Sequence, residues 1–231
     1  MKKILFLLFA VATVSLQAQN LQLHYDFGRN IYSVEEPDRQ KVTATFEQFK
    51  ADKLGSWFYF VDLDLTSKGV ISAYTEVSRE FNIGNKGWAF HMEYDGGLNT
   101  GTVFQSAALF GPAWNGHNED FSTTYSIQLL YKPIFNSYFG SGYTSFQLTG
   151  VWSTTFAQGK CTFSGFFDFW RGEKANGHGM LIFFSEPQFW YNCNKHISLG
   201  SEVELTNNFV FNLANDKTFF VNPTLAVKFN L

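Results

Sequence analysis

Charge is scarce in this chain: only 16% of its 231 residues are Asp, Glu, Lys or Arg, against roughly a quarter in an average globular protein. Basic residues do not lead, and the formal net charge of -3 argues against nucleic acid as a partner, which requires a basic face. Cysteine is nearly absent. The two present, Cys161 and Cys193, form no metal-ligand pattern and leave two readings open: a disulfide, favoured by an oxidising compartment, or a pair of free thiols. Beyond the N-terminal segment no apolar run approaches the roughly 20 residues that a membrane-spanning helix needs. The chain contains no linker, repeat or low-complexity stretch, and reads as one domain.

Aromatic residues are what the chain has in excess: 28 Phe, 10 Tyr and 6 Trp make up 19% of it. Few charges, many rings and no long apolar run suit a transmembrane β-barrel, where lipid-facing apolar residues alternate with polar lumen residues and hydropathy averages out. The mean hydropathy is -0.12.

The two ends of the sequence point the same way. Lys2 and Lys3 precede an apolar run from Ile4 to Val14, and Ala18 stands where a small residue is expected before a cut. Residues 1–18 therefore read as a secretory signal peptide, with Gln19 as the mature N-terminus. No cysteine lies near the cut, so lipid attachment there is not expected. At the other end, Val221, Leu225, Val227, Phe229 and Leu231 share one parity, and Asn222, Thr224, Ala226, Lys228 and Asn230 share the other. Such alternation is the signature of a strand with one apolar and one polar face. An apolar edge of this kind is a liability in a soluble domain, whereas a barrel pairs its last strand with its first.

Period-2 segments between turn signals give about twelve strands. They cover Leu21–Arg29, Lys41–Phe49, Trp57–Thr66, Val70–Glu80, Trp88–Asp95 and Val103–Trp114, the last without clear register, then Phe121–Lys132, Thr144–Trp152, Cys161–Arg171, Met180–Tyr191, Ile197–Thr206 and Phe219–Leu231. Their even number places both ends on the periplasmic side. Trp57, Trp88 and Trp152 then fall on the apolar parity at periplasmic strand ends, with Tyr25, Phe27, Tyr131 and Phe169 at outer ends. Aromatic girdles at both interfaces characterise membrane barrels. A soluble barrel or sandwich with its apolar parity inward would show the same alternation; the terminal strand, the rarity of lysine on strand faces and the girdles favour the membrane. The expected fold is all-β: a transmembrane antiparallel up-and-down barrel over residues 19–231 in the bacterial outer membrane.

In that fold the opposite parity lines the lumen. It carries His24, Asp26, Glu47, Asp62, Asp64, Glu76, His91, Glu93, Asp95, Asp168, Glu186, Glu202 and Glu204, with Lys132 and Lys228 as nearly the only bases. Phe58, Phe60, Tyr74, Phe166, Trp170, Phe184 and Trp190 share this face. An acidic lining favours cations, and rings beside carboxylates suit a planar, hydroxyl-bearing solute, because stacking on an aromatic contributes roughly 1–3 kcal/mol per base. Small barrels also fill their interiors with side chains, so a plugged structural or adhesive barrel is the alternative.

At these residues the chain resembles the nucleoside-specific channel-forming porin (Tsx-like) family and related outer-membrane barrels. The resemblance runs through ATFEQFKADKLGSWFYFVDLDL, then SAYTEVSREFNI with Glu76 and Arg79 in a Glu-x-x-Arg position, then GFFDFWRGE around Asp168, and closes at VKFNL. It implies a monomeric twelve-stranded barrel with a narrow, aromatic-lined nucleoside pathway. Carried over, it makes Glu47, Phe58, Phe60, Asp62, Glu76 and Asp168 lining residues, with Arg79 either among them or a structural strand-end partner. Leu231 departs from the family's terminal Phe, and turns such as Thr66–Gly69 are short. Together with Glu93 and Trp170 from the lumen parity, these six form the expected solute-binding set.

A lipid hydrolase would need a Ser beside a His on the lipid-facing side near the outer leaflet. His24 and His91 have lumen parity, His117 and His196 lie near periplasmic turns, and His178 is in a loop; none has a Ser partner at a motif spacing. The pairs Asp62/Asp64 and Glu202/Glu204 lie in no glycine-turn calcium loop. The expectation is therefore a non-enzymatic channel without cofactor or metal, whose partners are a small polar, nucleoside-like solute and outer-membrane lipid.

Overall fold

The computed structural model describes residues 19–100, 104–137, 140–174, 178–210 and 217–231; the expected signal peptide lies outside them. Successive strands pair antiparallel: β1 (Gln19–Asp26), β2 (Val42–Asp52), β3 (Gly55–Thr66), β4 (Gly69–Asn82), β5 (Trp88–Asn99), β6 (Ala107–His117), β7 (Thr123–Ser137), β8 (Gly140–Phe156) and β9 (Cys161–Glu173). β10 (Gly179–Ser185) and β11 (Gln188–Asn192) both lie between β9 and β12 (Ile197–Asn207), so they are the two halves of one interrupted strand. β13 (Phe219–Asn230) pairs with β12 on one side and with β1 on the other. That last pairing, Leu21 opposite Phe229 and Tyr25 opposite Leu225, closes a twelve-stranded barrel among the described residues and abolishes the sheet edge.

Burial runs inside out. On β1, Leu21, Leu23 and Tyr25 are 38%, 39% and 40% exposed, while Gln22, His24 and Asp26 between them are 1%, 5% and 7% exposed. On β5, Trp88, Phe90, Met92 and Tyr94 face outward, and Ala89, His91 and Asp95 are buried. A soluble barrel with its apolar parity inward would show the reverse. Burying so many apolar side chains in hydrocarbon, at ~25 cal/mol per Å², is what stabilises the outward face. Trp57 and Trp88 stand exposed at the periplasmic rim, as the girdle pattern predicts, whereas Trp152 is half-buried against Phe163 and Phe167. Arg79 faces outward too. Its guanidinium lies 5.1 Å from the Trp57 ring and 5.0 Å from the Phe81 ring and donates to Asp52 at 2.8 Å, so it is the strand-end partner and not a lumen residue.

Several boundaries differ from the sequence reading. β1 stops at Asp26 rather than Arg29, because Asp26 Oδ1 accepts the Gly28 N–H at 2.6 Å and the chain turns into the short helix α1 (Gly28–Ile31). β6 begins at Ala107, not Val103, which lies outside the described residues. β7 and β8 continue to Ser137 and begin at Gly140, extending past the expected outer ends. The expected continuous strand Met180–Tyr191 is broken at Glu186 and Pro187. Proline offers no N–H to the ladder. The facing residue, Gly165, has φ +154°, and a Cβ there would lie 2.5 Å from the Glu186 carbonyl oxygen. Cys161 and Cys193 are free thiols.

Candidate functional site

Carboxylates line the lumen from strand after strand. Glu47 on β2, Asp62 on β3, Glu76 on β4, Glu93 on β5, Asp168 on β9 and Glu202 on β12 are each half-buried, and so is Glu186 at the β10–β11 break. Glu186 lies within electrostatic reach of Glu202, Glu204, Asp62 and Glu76, and Glu76 within reach of Asp95, Glu93 and Asp168. The belt therefore joins facing walls.

Neutral donors hold much of this belt. Asn20 donates to Glu47 at 3.0 Å, Thr45 to Asp62 at 2.5 Å, Tyr74 to Glu76 at 2.9 Å, Thr149 to Asp168 at 2.5 Å and Gln188 to Glu202 at 2.6 Å. A hydroxyl or amide donor orients a carboxyl group without bringing a counter-charge to it.

Bases meet the acids at separate places. Lys132 reaches Asp95 at 3.3 Å and Gln147 at 2.6 Å, with Nζ 4.8 Å from the Trp170 ring. His91, 3% exposed, contacts Glu80 through Nδ1 and Glu93 through Nε2, both at 3.1 Å. Lys228 sits 3.9 Å over the Trp190 ring near the periplasmic mouth, where a vestibule of about 580 Å³ is lined by Lys160, Lys195, Asn192 and Asn230. A further base enters from a loop. Arg39, between β1 and β2, folds into the outer mouth and grips both Glu204 oxygens at 2.9 and 3.0 Å, Asp26 at 2.8 Å and Glu36 at 3.3 Å. Burial opposes its charge, but Glu204 and Asp26 outweigh that and hold the guanidinium protonated above its usual range. Burial pushes the Glu36 carboxyl up, with Arg39 opposing.

Aromatic rings climb two walls. Phe58, Phe60, Tyr74 and Phe104 follow one another with centroids 6.1, 6.1 and 5.9 Å apart. On β9, β10 and the outer loop, Phe166, Phe184, Phe209 and Trp170 follow at 5.5, 4.7 and 5.9 Å. Of the expected solute-binding set, Phe58, Phe60 and Glu76 share the first wall, with Glu47 and Asp62 on the neighbouring strand positions. Asp168 and Trp170 lie on the second, and Glu93 stands beyond Glu76. The set surrounds one lumen rather than forming one pocket. Trp170, 8% exposed, is packed more tightly than the others. Between β6 and β7 the lumen face is not acidic: Ala107, Leu109, Leu130 and Ile134 form a packed cluster with Tyr143. The acids and ring ladders of the lumen wall thus lie away from this cluster, on β2–β5 and β9–β12. Sequence reasoning missed Arg39, Phe104 and Phe209, because all three sit in connections where no strand periodicity signals direction.

A closed barrel with lipophilic residues outside and polar ones within is built for the bacterial outer membrane. Residues 18–231 match a family model described as a domain of unknown function, DUF5020, and the chain belongs to that family. A search of curated proteins finds no match. Among solved structures the chain is similar to the NanC porin, with 11% identity and a TM-score of 0.61 over 93% of this chain and 100% of that one. It is also similar to the KdgM porin, with 11% identity and a TM-score of 0.53 over 92% and 98%; that porin has also been solved in complex with disordered oligogalacturonate. At such identity the likeness carries the fold alone, and the fold is the outer-membrane porin barrel.

Proposed function

We propose that the protein is a monomeric diffusion channel for small polar solutes, nucleosides among them, and that it performs no chemistry. One observation carries this reading: half-buried carboxylates, oriented by neutral donors, stand beside two ladders of rings inside a closed barrel. Rings at about 6 Å spacing offer successive stacking positions, and the carboxylates accept hydrogen bonds from sugar hydroxyls and base amino groups. Serial weak contacts are what conduction needs, since a solute held tightly does not leave. Glu47, Phe58, Phe60, Asp62, Glu76, Glu93, Asp168 and Trp170 are proposed as the contacts. The acidic lining sets this lumen against polyanionic sugars such as oligogalacturonate, whose own carboxylates it repels.

The Leu109–Leu130–Ile134 cluster and the Arg39 clamp favour a second reading, a plugged structural or adhesive barrel. Planar-bilayer recording separates the two. A conducting pore whose current falls on addition of nucleoside supports the channel, and folded protein without conductance supports the plug. We also propose that residues 1–18 direct export and are removed; mass spectrometry of the membrane-fraction protein should give a chain beginning at Gln19.

A further inference from the structure

The rings and acids of the lumen do not account for how Glu76, Glu93 and Asp95 meet. One oxygen from each can be chosen so that all lie within 4.8 Å of one another. Each side chain has one oxygen tied to a donor: Glu76 Oε1 to the Tyr74 hydroxyl, Glu93 Oε2 to His91 Nε2 and Asp95 Oδ2 to Lys132. Asp95 Oδ1 is left over: a buried atom without a hydrogen-bond partner among the described residues, on a side chain only 8% exposed. An orphaned carboxylate oxygen in the interior is costly, and here two further carboxylates face it. Lys132 stands against Asp95 and His91 against Glu93, while Glu76 has no salt-bridge partner among the described residues.

We propose that these three side chains form a divalent-cation site of the calcium type in the lumen wall. Hard carboxylate oxygens are what Ca²⁺ takes, at about 2.3–2.6 Å. Two ligands on opposite sides of the ion then stand up to about 5 Å apart, which fits the observed span. Mg²⁺ requires about 2.0–2.1 Å and a strict octahedron and gives up its water reluctantly, so a wall of carboxylates favours the larger, more adaptable Ca²⁺. Lumen water completes the shell. The ion lies beside Phe60, Tyr74 and the proposed solute path, so its presence changes the charge that a passing solute meets.

The test uses the full barrel refolded in detergent, with Tb³⁺ as the probe and excitation of tyrosine, since the Tyr74 hydroxyl is bonded to a proposed ligand. Expected is saturable emission at one ion per barrel, displaced by Ca²⁺ at lower concentration than by Mg²⁺. Asp95→Asn and, separately, Glu93→Gln should weaken binding about tenfold or more, and Glu119→Gln, in the exposed turn between β6 and β7, should leave it unchanged. Heat-modified gel mobility establishes that each variant is folded. No saturable emission, emission retained in both site variants, or equal displacement by the two ions would overturn the proposal. Binding is read without transport. A barrel that conducts but binds no Tb³⁺ therefore loses only the ion site, and one that binds but does not conduct loses only the channel.

Discussion

Arg39 supplies the clearest single-residue dependence in the molecule. Its guanidinium meets three carboxylates at once and holds Glu204 with both of its outer nitrogens, a fork that the point charge of lysine cannot reproduce. Arg39→Ala leaves Asp26 and Glu204 partly buried without their counter-charge, and losses of this kind cost about 3 kcal/mol. We expect the barrel to remain closed, residues 27–41 to lose hydrogen-exchange protection, and single-channel current to rise as the outer mouth widens. Arg39→Lys should recover only part of the protection. Glu36 adds a pH dependence. Its folded value stands above the ordinary 4.5, chiefly because of burial. Ionisation therefore costs the folded loop stability, which is intact at lower pH and lost as the pH rises through the folded value. Glu36→Gln should flatten the fall in loop protection measured upward from pH 4.5.

At the scale of the element, the interrupted strand decides how the lumen is shaped. Pro187 ends the ladder, Glu186 turns inward, and Gly165 on the neighbouring strand gives the break room. Gly165→Ala sets a Cβ against backbone, where no rotamer relieves the contact, and overpacking of that kind costs about 1–3 kcal/mol. A lower urea midpoint with unchanged strand content is the expected readout; an unchanged midpoint would show that the break tolerates a side chain. The break had a signal in the sequence, the lone proline of FSEPQF, but period-2 alternation continues on both sides and masks it. The strands themselves were legible because lipid on one face and water on the other impose opposite polarities on successive residues. Leu21 to Asp26 shows this, and so does β5. The ends of β7 and β8 were not, since beyond the membrane neither face is required to be apolar. Arg39 and Phe209 were invisible for a related reason: a loop that folds back into a lumen carries no repeat to say so.

For the molecule as a whole, parity identified the lumen wall but not its content. The acids on β2 to β5, β9 and β12 line it as the alternation implied. Leu109, Leu130 and Ile134 fill one side, which a reading of charged residues alone passes over. The result is an asymmetric lumen wall, acidic through its middle and outer parts and basic near Lys160, Lys195 and Lys228 at the periplasmic mouth. Because neutral donors hold the middle carboxylates, their field acts on whatever passes. Removing two of them by Asp62→Asn with Glu186→Gln should reduce the preference for cations while leaving the barrel folded, since both sit on half-buried walls. The measurement that tests the account most directly is the reversal potential of the wild-type pore across a potassium chloride gradient in a planar bilayer. Cation selectivity that declines in the double variant is the predicted result. Anion selectivity, or a folded barrel that passes no current, would contradict it.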